Sequence, residues 1–165
     1  GGCRMSAVIA APSDDVVAFP SQGWFERLAA LMNAHRARQE QLGYVDCVAQ
    51  FTVLDGGPGG APVSYQVTFE EFACTGVTEL ASSALNGADF ALEAKLGAWR
   101  TMIESIAAGL GRPALEQTLN RLSHMQTPFR LVAEDVLRSD YYYRYNQSLQ
   151  EFVNASAQFT SHFGG

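Results

Sequence analysis

Groups able to act on a substrate covalently or by proton transfer are few in this sequence, and their spacing brings none of them together. His35, His124 and His162 stand far apart, with no second ligand at the i, i+4 spacing that turns two side chains toward one metal from a helix face. Cys3, Cys47 and Cys74 form no CxxC pair. Cys47 and Cys74 read as small buried thiols, since a nucleophilic role needs a histidine beside them in the fold. Glu70 and Glu71 are adjacent, but neighbours in a strand point to opposite faces, so they read as a solvated turn. Asp89 and Glu93 are the candidates for a general base, because burial beside an apolar pocket would raise a carboxyl pKa. Asp89 reads more simply as the end of a turn. The run Asp55-Gly56-Gly57-Pro58-Gly59-Gly60 lacks the Lys-Ser/Thr of a phosphate-binding loop and leads into a strand, so it too reads as a turn.

The stronger chemistry is apolar. Phe51, Tyr65, Val67, Phe90, Trp99, Met102, Ile103, Ile106 and Phe152 fall on the inward faces of their elements. An inward apolar and aromatic set with few polar groups is how a site for a hydrophobic small molecule is built. The same residues would also serve to fill a core, and composition does not separate a cavity from its filling. Met32, Met102 and Met125 conform equally well to irregular ligands and irregular cores. Tyr141, Tyr142, Tyr143 and Tyr145 offer phenol groups for a binding lip, although helical spacing places Tyr141 and Tyr145 on one side and Tyr143 away from it.

The elements that position these residues follow from periodicity. Ser21 reads as an N-cap, and Trp24, Phe25, Leu28, Leu31 and Met32 mark the apolar face of a helix running to about Leu42, where Gly43 ends it. Cys47, Ala49, Phe51 and Val53 alternate with polar or smaller neighbours, as do Val63, Tyr65, Val67 and Phe69, which predicts a hairpin around the glycine-rich turn. Phe72 to Leu80 reads as a third strand. Phe90, Leu92, Ala94 and Leu96 continue the strand period, and after Gly97 the period changes: Trp99, Met102, Ile103, Ile106, Ala107 and Leu110 recur at helical spacing. Sequential strands with short links favour an antiparallel meander. Leu115, Leu119 and Leu122 carry a short helix with Pro113 near its first turn, and Phe129 to Ala133 gives a fifth strand. Ser139 or Asp140 caps one long C-terminal helix, with His162 to Gly165 as a fraying tail. Residues 1–20 read as a flexible arm and 21–162 as a single domain.

Composition excludes several classes of function. With 165 residues, 47% hydrophobic and 17% charged, the chain is long enough for one ordinary core and is not a disordered composition. A net charge of −6 with scattered basic residues argues against a nucleic-acid partner, which requires a clustered basic surface. No apolar run is long enough to span a membrane. An odd cysteine count without motif fits a reducing compartment, and the apolar run after Arg4 is short for a signal segment, so a cytoplasmic location is expected.

The order of these pieces resembles the sterol carrier protein 2-like domains, particularly the bacterial single-domain type. The likeness is carried by Trp24-Phe25-Glu26-Arg27-Leu28, the hairpin VAQFTVLDG and VSYQVTFEEF, and Thr75-Gly76-Val77. It is sharpest at Ala88-Asp89-Phe90-Ala91-Leu92, followed by a turn and Trp99, and it covers roughly residues 23 to 135. It implies an α+β fold, a twisted, largely antiparallel five-stranded sheet covered by helices, with an apolar tunnel for acyl chains or sterols and no catalysis. The chain departs from the family's pattern at Phe129-Arg130-Leu131-Val132-Ala133-Glu134-Asp135, a partial match to a Gly-x-φ-Lys-φ-x-Gly-Asp stretch, and in its tyrosine-rich C-terminal helix.

The expectation is a carrier or sequestering module for a fatty acyl chain, acyl thioester or sterol-like lipid. It would hold the ligand through the nine apolar residues named above and use no metal or cofactor. The alternatives are a small enzyme in the same scaffold, with Asp89 or Glu93 as base, and an interaction module whose core is closed.

Overall fold

The computed structural model of the chain describes residues 15–164. Strand β1 (Val16–Phe19) comes first, where the sequence suggested part of a loose arm; residues 1–14 of that arm lie outside the described residues. Ser21 then takes an extended backbone, and its hydroxyl accepts the Trp24 amide at 3.1 Å, starting helix α1 (Gln22–Ala34) as expected. The helix does not run through to Leu42. His35 leaves helical geometry (φ −119°, ψ 52°), and a second helix, α2 (Arg36–Leu42), ends at Gly43, whose φ of 99° suits a residue without Cβ.

Strands β2 (Cys47–Val53), β3 (Val63–Glu70) and β4 (Ala73–Leu80) form the antiparallel meander. The chain then leaves it. Strand β5 (Phe90–Ala94) pairs with β2 in parallel, so the meander expected to continue through Ala94 stops at β4. The reason lies in Asp89: its backbone amide donates to the Val48 carbonyl at 2.9 Å while its carboxylate accepts the Val48 amide at 2.8 Å, fixing β5 to the opposite edge of β2. Helix α3 (Leu96–Ala108) follows, and the Asp55 carboxylate of the glycine-rich turn accepts the Leu96 amide at its start. Leu115–Gln117 is a 3₁₀ turn, so the short helix, α4 (Leu119–Ser123), begins later than the leucine spacing predicted and is capped by Thr118. Strand β6 (Arg130–Val132) completes a five-stranded sheet of order β4-β3-β2-β5-β6, antiparallel except at β2–β5.

The single long C-terminal helix is in fact two. Asp135, not Ser139 or Asp140, caps α5 (Val136–Arg144), and Tyr145 (φ −103°, ψ 15°) breaks it from α6 (Asn146–Asn154). A 3₁₀ turn, Ala155–Gln158, leads to strand β7 (Thr160–Phe163), which pairs in parallel with β1 where a fraying tail was expected. Apolar anchoring accounts for that pairing. Phe19 is buried edge-on to Trp24 at 4.7 Å and 5.9 Å from Trp99, and Trp24 Nε1 donates to Ser161 Oγ at 2.9 Å.

Register puts Phe51, Tyr65, Val67, Phe90 and Leu92 on one sheet face, where α1, α3 and α6 cover them. The other face is polar yet also closed. Gln50, Thr52 and Ser64 are fully buried because residues 82–86 fold across them: Ser64 Oγ donates to the Ser82 carbonyl at 2.5 Å, Gln50 Nε2 to Ala84 at 3.0 Å and Gln66 Nε2 to Leu85 at 2.7 Å. Each buried polar group in this layer thereby finds a partner. No helix among the described residues is long and apolar enough to cross a membrane.

Candidate functional site

All nine apolar residues singled out from the sequence are buried, and they belong to one continuous core. β2 presents Phe51, and three helices meet on it. Its ring stacks on Phe25 of α1 at 5.4 Å and Phe152 of α6 at 6.0 Å, and lies edge-on to Trp99 of α3 at 6.1 Å. Tyr65 stacks on Phe25 at 4.7 Å, and Phe90 lies edge-on to Tyr142 at 5.7 Å. Trp99, Met102 and Ile106 have no exposed surface, and the Trp99 indole donates to the Thr52 carbonyl at 3.0 Å. These contacts sit at ordinary aromatic packing distances, so around Phe51 the residues pack on one another.

Open space lies at the margins of this core. A groove of about 500 Å³ runs between α3 and the C-terminal segment, with Arg100, Ile103, Glu104 and Ala107 on one wall and Ser156, Phe159, Ser161 and Phe163 among those on the other. The spacing 100, 103, 104, 107 is one helix face over two turns, roughly 10 Å. Of the nine predicted residues, Ile103 lines this groove. Arg100 pairs with Glu104 at 2.9 Å and holds its guanidinium 5.1 Å from the centre of the Phe163 ring. A second groove, of about 400 Å³, lies between α1, α2 and α6, with Phe152 and Met32 in its wall and the Arg38–Glu151 pair across it at 3.3 Å.

The groove walls contributed by Ser156, Phe159, Ser161 and Phe163 did not emerge from the sequence as a site. Ser156 and Phe159 fell within the single long C-terminal helix that was expected, and Phe163 within the expected tail. The usable signal was Val16-Val17-Ala18-Phe19, a β-branched and aromatic run whose partner strand had to be elsewhere in the chain.

The groups considered for chemistry are occupied structurally. Asp89 is bound to the Val48 amide, and Arg138 lies 3.7 Å from its other oxygen. Glu93 faces Arg130 at 3.4 Å. Cys47 and Cys74 are free thiols; burial, reinforced by the Asp89 and Asp46 charges, pushes the Cys47 thiol up to about 12, away from the thiolate needed for nucleophilic attack. Burial also raises Cys74. Among the described residues no group of three or more His, Cys, Asp or Glu side chains converges to hold a metal ion. Of the four tyrosines, Tyr142 is buried and shares a hydrogen bond with Ser123 at 2.8 Å, Tyr141 and Tyr145 stack at 6.0 Å, and Tyr143 is exposed.

No protein-family model matches the sequence, and no curated protein matches it. Two solved structures do match in three dimensions. One is a conserved hypothetical protein from Thermus thermophilus, a candidate sterol carrier protein, with 18% identity over 86% of this chain and 90% of that one (TM-score 0.58). The other is the crystal structure of sterol carrier protein 2, with 21% identity over 85% of this chain and 98% of that one (TM-score 0.61). At these identities the likeness is one of fold: the chain has the sterol carrier protein 2-like α+β architecture.

Proposed function

We propose that this protein binds a hydrophobic small molecule, an acyl chain, acyl thioester or sterol-like lipid, and carries it in the groove between α3 and the C-terminal segment. The observation that carries the reading is the groove itself, about 500 Å³ with Ile103 and Phe159 in its walls, on a scaffold whose solved neighbours include sterol carrier protein 2. Apolar surface removed from water supplies about 25 cal/mol per Å², less the cost of immobilising a flexible ligand. The packed residues behind Ile103 give the groove a preorganised floor, so binding adds little ordering of the protein's own side chains. A cytoplasmic site of action fits the free thiols of Cys47 and Cys74.

Titration of the purified protein with 11-(dansylamino)undecanoic acid tests the reading, with organic extraction and mass spectrometry alongside. Saturable fluorescence enhancement that unlabelled fatty acid reverses supports it. No saturable signal and no co-purifying lipid would sink it. The closed packing around Phe51 favours a second reading, an interaction module, which predicts a co-purifying protein in place of a lipid.

A further inference from the structure

The groove between α1, α2 and α6 holds a polar group that the fold leaves unused. Gln39 of α2 is 5% exposed and lines this space, and its side-chain amide has no hydrogen-bond partner among the described residues. The amide is not sealed. Among the described residues, the unpartnered side-chain atoms with no surface of their own are Gln117 Oε1, Asn146 Nδ2 and Ser156 Oγ, so the Gln39 amide keeps surface within the groove wall. A largely buried amide that nothing in the fold satisfies calls for a partner from outside it.

The other polar groups of these walls are engaged or in solvent, with one cation left over. Arg38 forks onto both carboxylate oxygens of Glu151 at 3.3 Å, His35 Nδ1 lies 2.8 Å from the Leu31 carbonyl, and Asn154 Oδ1 accepts from Gln150 at 2.9 Å. Gln158 is exposed. Arg112, beyond the end of α3, makes no ion pair or side-chain hydrogen bond among the described residues, so the walls carry two arginines against one glutamate on a chain of net charge −6. A free guanidinium presents a planar fork of donors that matches a carboxylate. Met32 and Phe152 give the groove apolar surface, and Leu110, 89% exposed with its backbone in the left-handed region (φ 54°), adds more beside Arg112. At about 400 Å³ the space is of the size that small-molecule sites have.

We propose that this groove is a second binding site, for a small organic acid with an apolar body. Arg112 takes its carboxylate, Met32 and Phe152 hold the body, and the Gln39 amide bonds a hydroxyl at the far end, which can donate and accept as the amide does. The site stands apart from the α3 groove, with which it shares Ala157 alone among its lining residues, and it does not rest on lipid binding there.

The test uses 4-hydroxyphenylacetate and phenylacetate, which differ by one hydroxyl, with affinities from isothermal titration and stability from urea unfolding. Wild type is expected to bind the hydroxylated acid about fivefold more tightly. Arg112→Gln should weaken both acids about tenfold, and Gln39→Leu should abolish the preference between them while keeping the urea midpoint of wild type. Ala107→Trp, which fills the α3 groove, should change neither affinity. No binding of either acid to wild type would overturn the proposal, as would undiminished binding by Arg112→Gln, whose exposed position keeps the fold out of question. An unchanged preference in Gln39→Leu would overturn the amide's part and leave water as its partner; a lowered midpoint would overturn it too, by showing a partner in the fold. Loss of binding in Ala107→Trp but not in Arg112→Gln would place the acid in the α3 groove instead. The lipid titration judges the carrier reading separately, so either can fail alone.

Discussion

The Trp99 indole donates to the Thr52 carbonyl at 3.0 Å, tying α3 to the central strand β2 at the point where the aromatic rings of three helices converge. Trp99 is wholly buried, so this contact is made inside the core and away from the groove. Replacing Trp99 by Ala removes the ring and leaves a buried carbonyl short of a donor. A loss of about 3–5 kcal/mol is expected, read as a lower urea midpoint with an unchanged m-value. Where the variant remains folded, its affinity for a fluorescent fatty acid should stay within about threefold of wild type. A tenfold loss of affinity without a stability change would make Trp99 a ligand contact instead.

Phe19 distinguishes an anchored N-terminal strand from a loose arm. It is 1% exposed and packs on Trp24 and Trp99. Phe19→Ala should cost about 3–5 kcal/mol, measured by thermal or urea unfolding. A change within about 0.5 kcal/mol, as expected for a residue in solvent, would contradict the β1–β7 pairing.

Asp89 tests the structural role of the pair that ties β5 to β2. Its carboxylate accepts the Val48 amide, so Asp89→Ala should destabilise by about 1–3 kcal/mol, while Asp89→Asn, which keeps an acceptor oxygen, should cost less than half as much. Urea unfolding of the two variants reads the difference. Equal costs would show that charge, and not the Val48 bond, is what the position supplies.

Cys47 gives the fold a pH dependence on the alkaline side. Burial holds the native thiol up to about 12 against an ordinary 9.0, so the folded state keeps its proton where the unfolded chain has lost it. The contribution is complete below pH 9 and is lost as pH rises from 9 toward 12, because there the native state binds more protons than the unfolded one. Unfolding free energy of wild type should therefore fall more steeply above pH 9 than that of Cys47→Ala. Parallel curves would contradict the burial of the thiol, as would rapid reaction of native Cys47 with a thiol reagent at pH 8.

Local chemistry made much of this legible. The change of period near Gly97 marked the junction between β5 and α3, and the Ser21 hydroxyl marked the start of α1. What escaped was set at a distance. The parallel partner of β5 depends on the Asp89–Val48 pair, and β1 and β7 are four-residue strands at opposite ends of the described chain, too short to show a period. Gln50 and Thr52 alternate as solvent-facing residues do, yet residues 82–86 bury them, a tertiary effect with no local signature. The nine candidate residues were identifiable as an inward apolar set, but only Ile103 lines the α3 groove. Ala107 and Arg100 lie on the flank of the helix stripe, and their significance depends on where β7 returns.

The most direct test of the carrier reading fills the α3 groove from its exposed wall. Ala107 is exposed, so Ala107→Trp adds bulk to the groove without disturbing the core. Titration with 11-(dansylamino)undecanoic acid should give saturable binding to wild type and at least a tenfold loss in Ala107→Trp, with urea midpoints equal within error. Undiminished binding by a folded Ala107→Trp would place the ligand elsewhere, and absence of saturable binding to wild type would contradict the carrier reading itself.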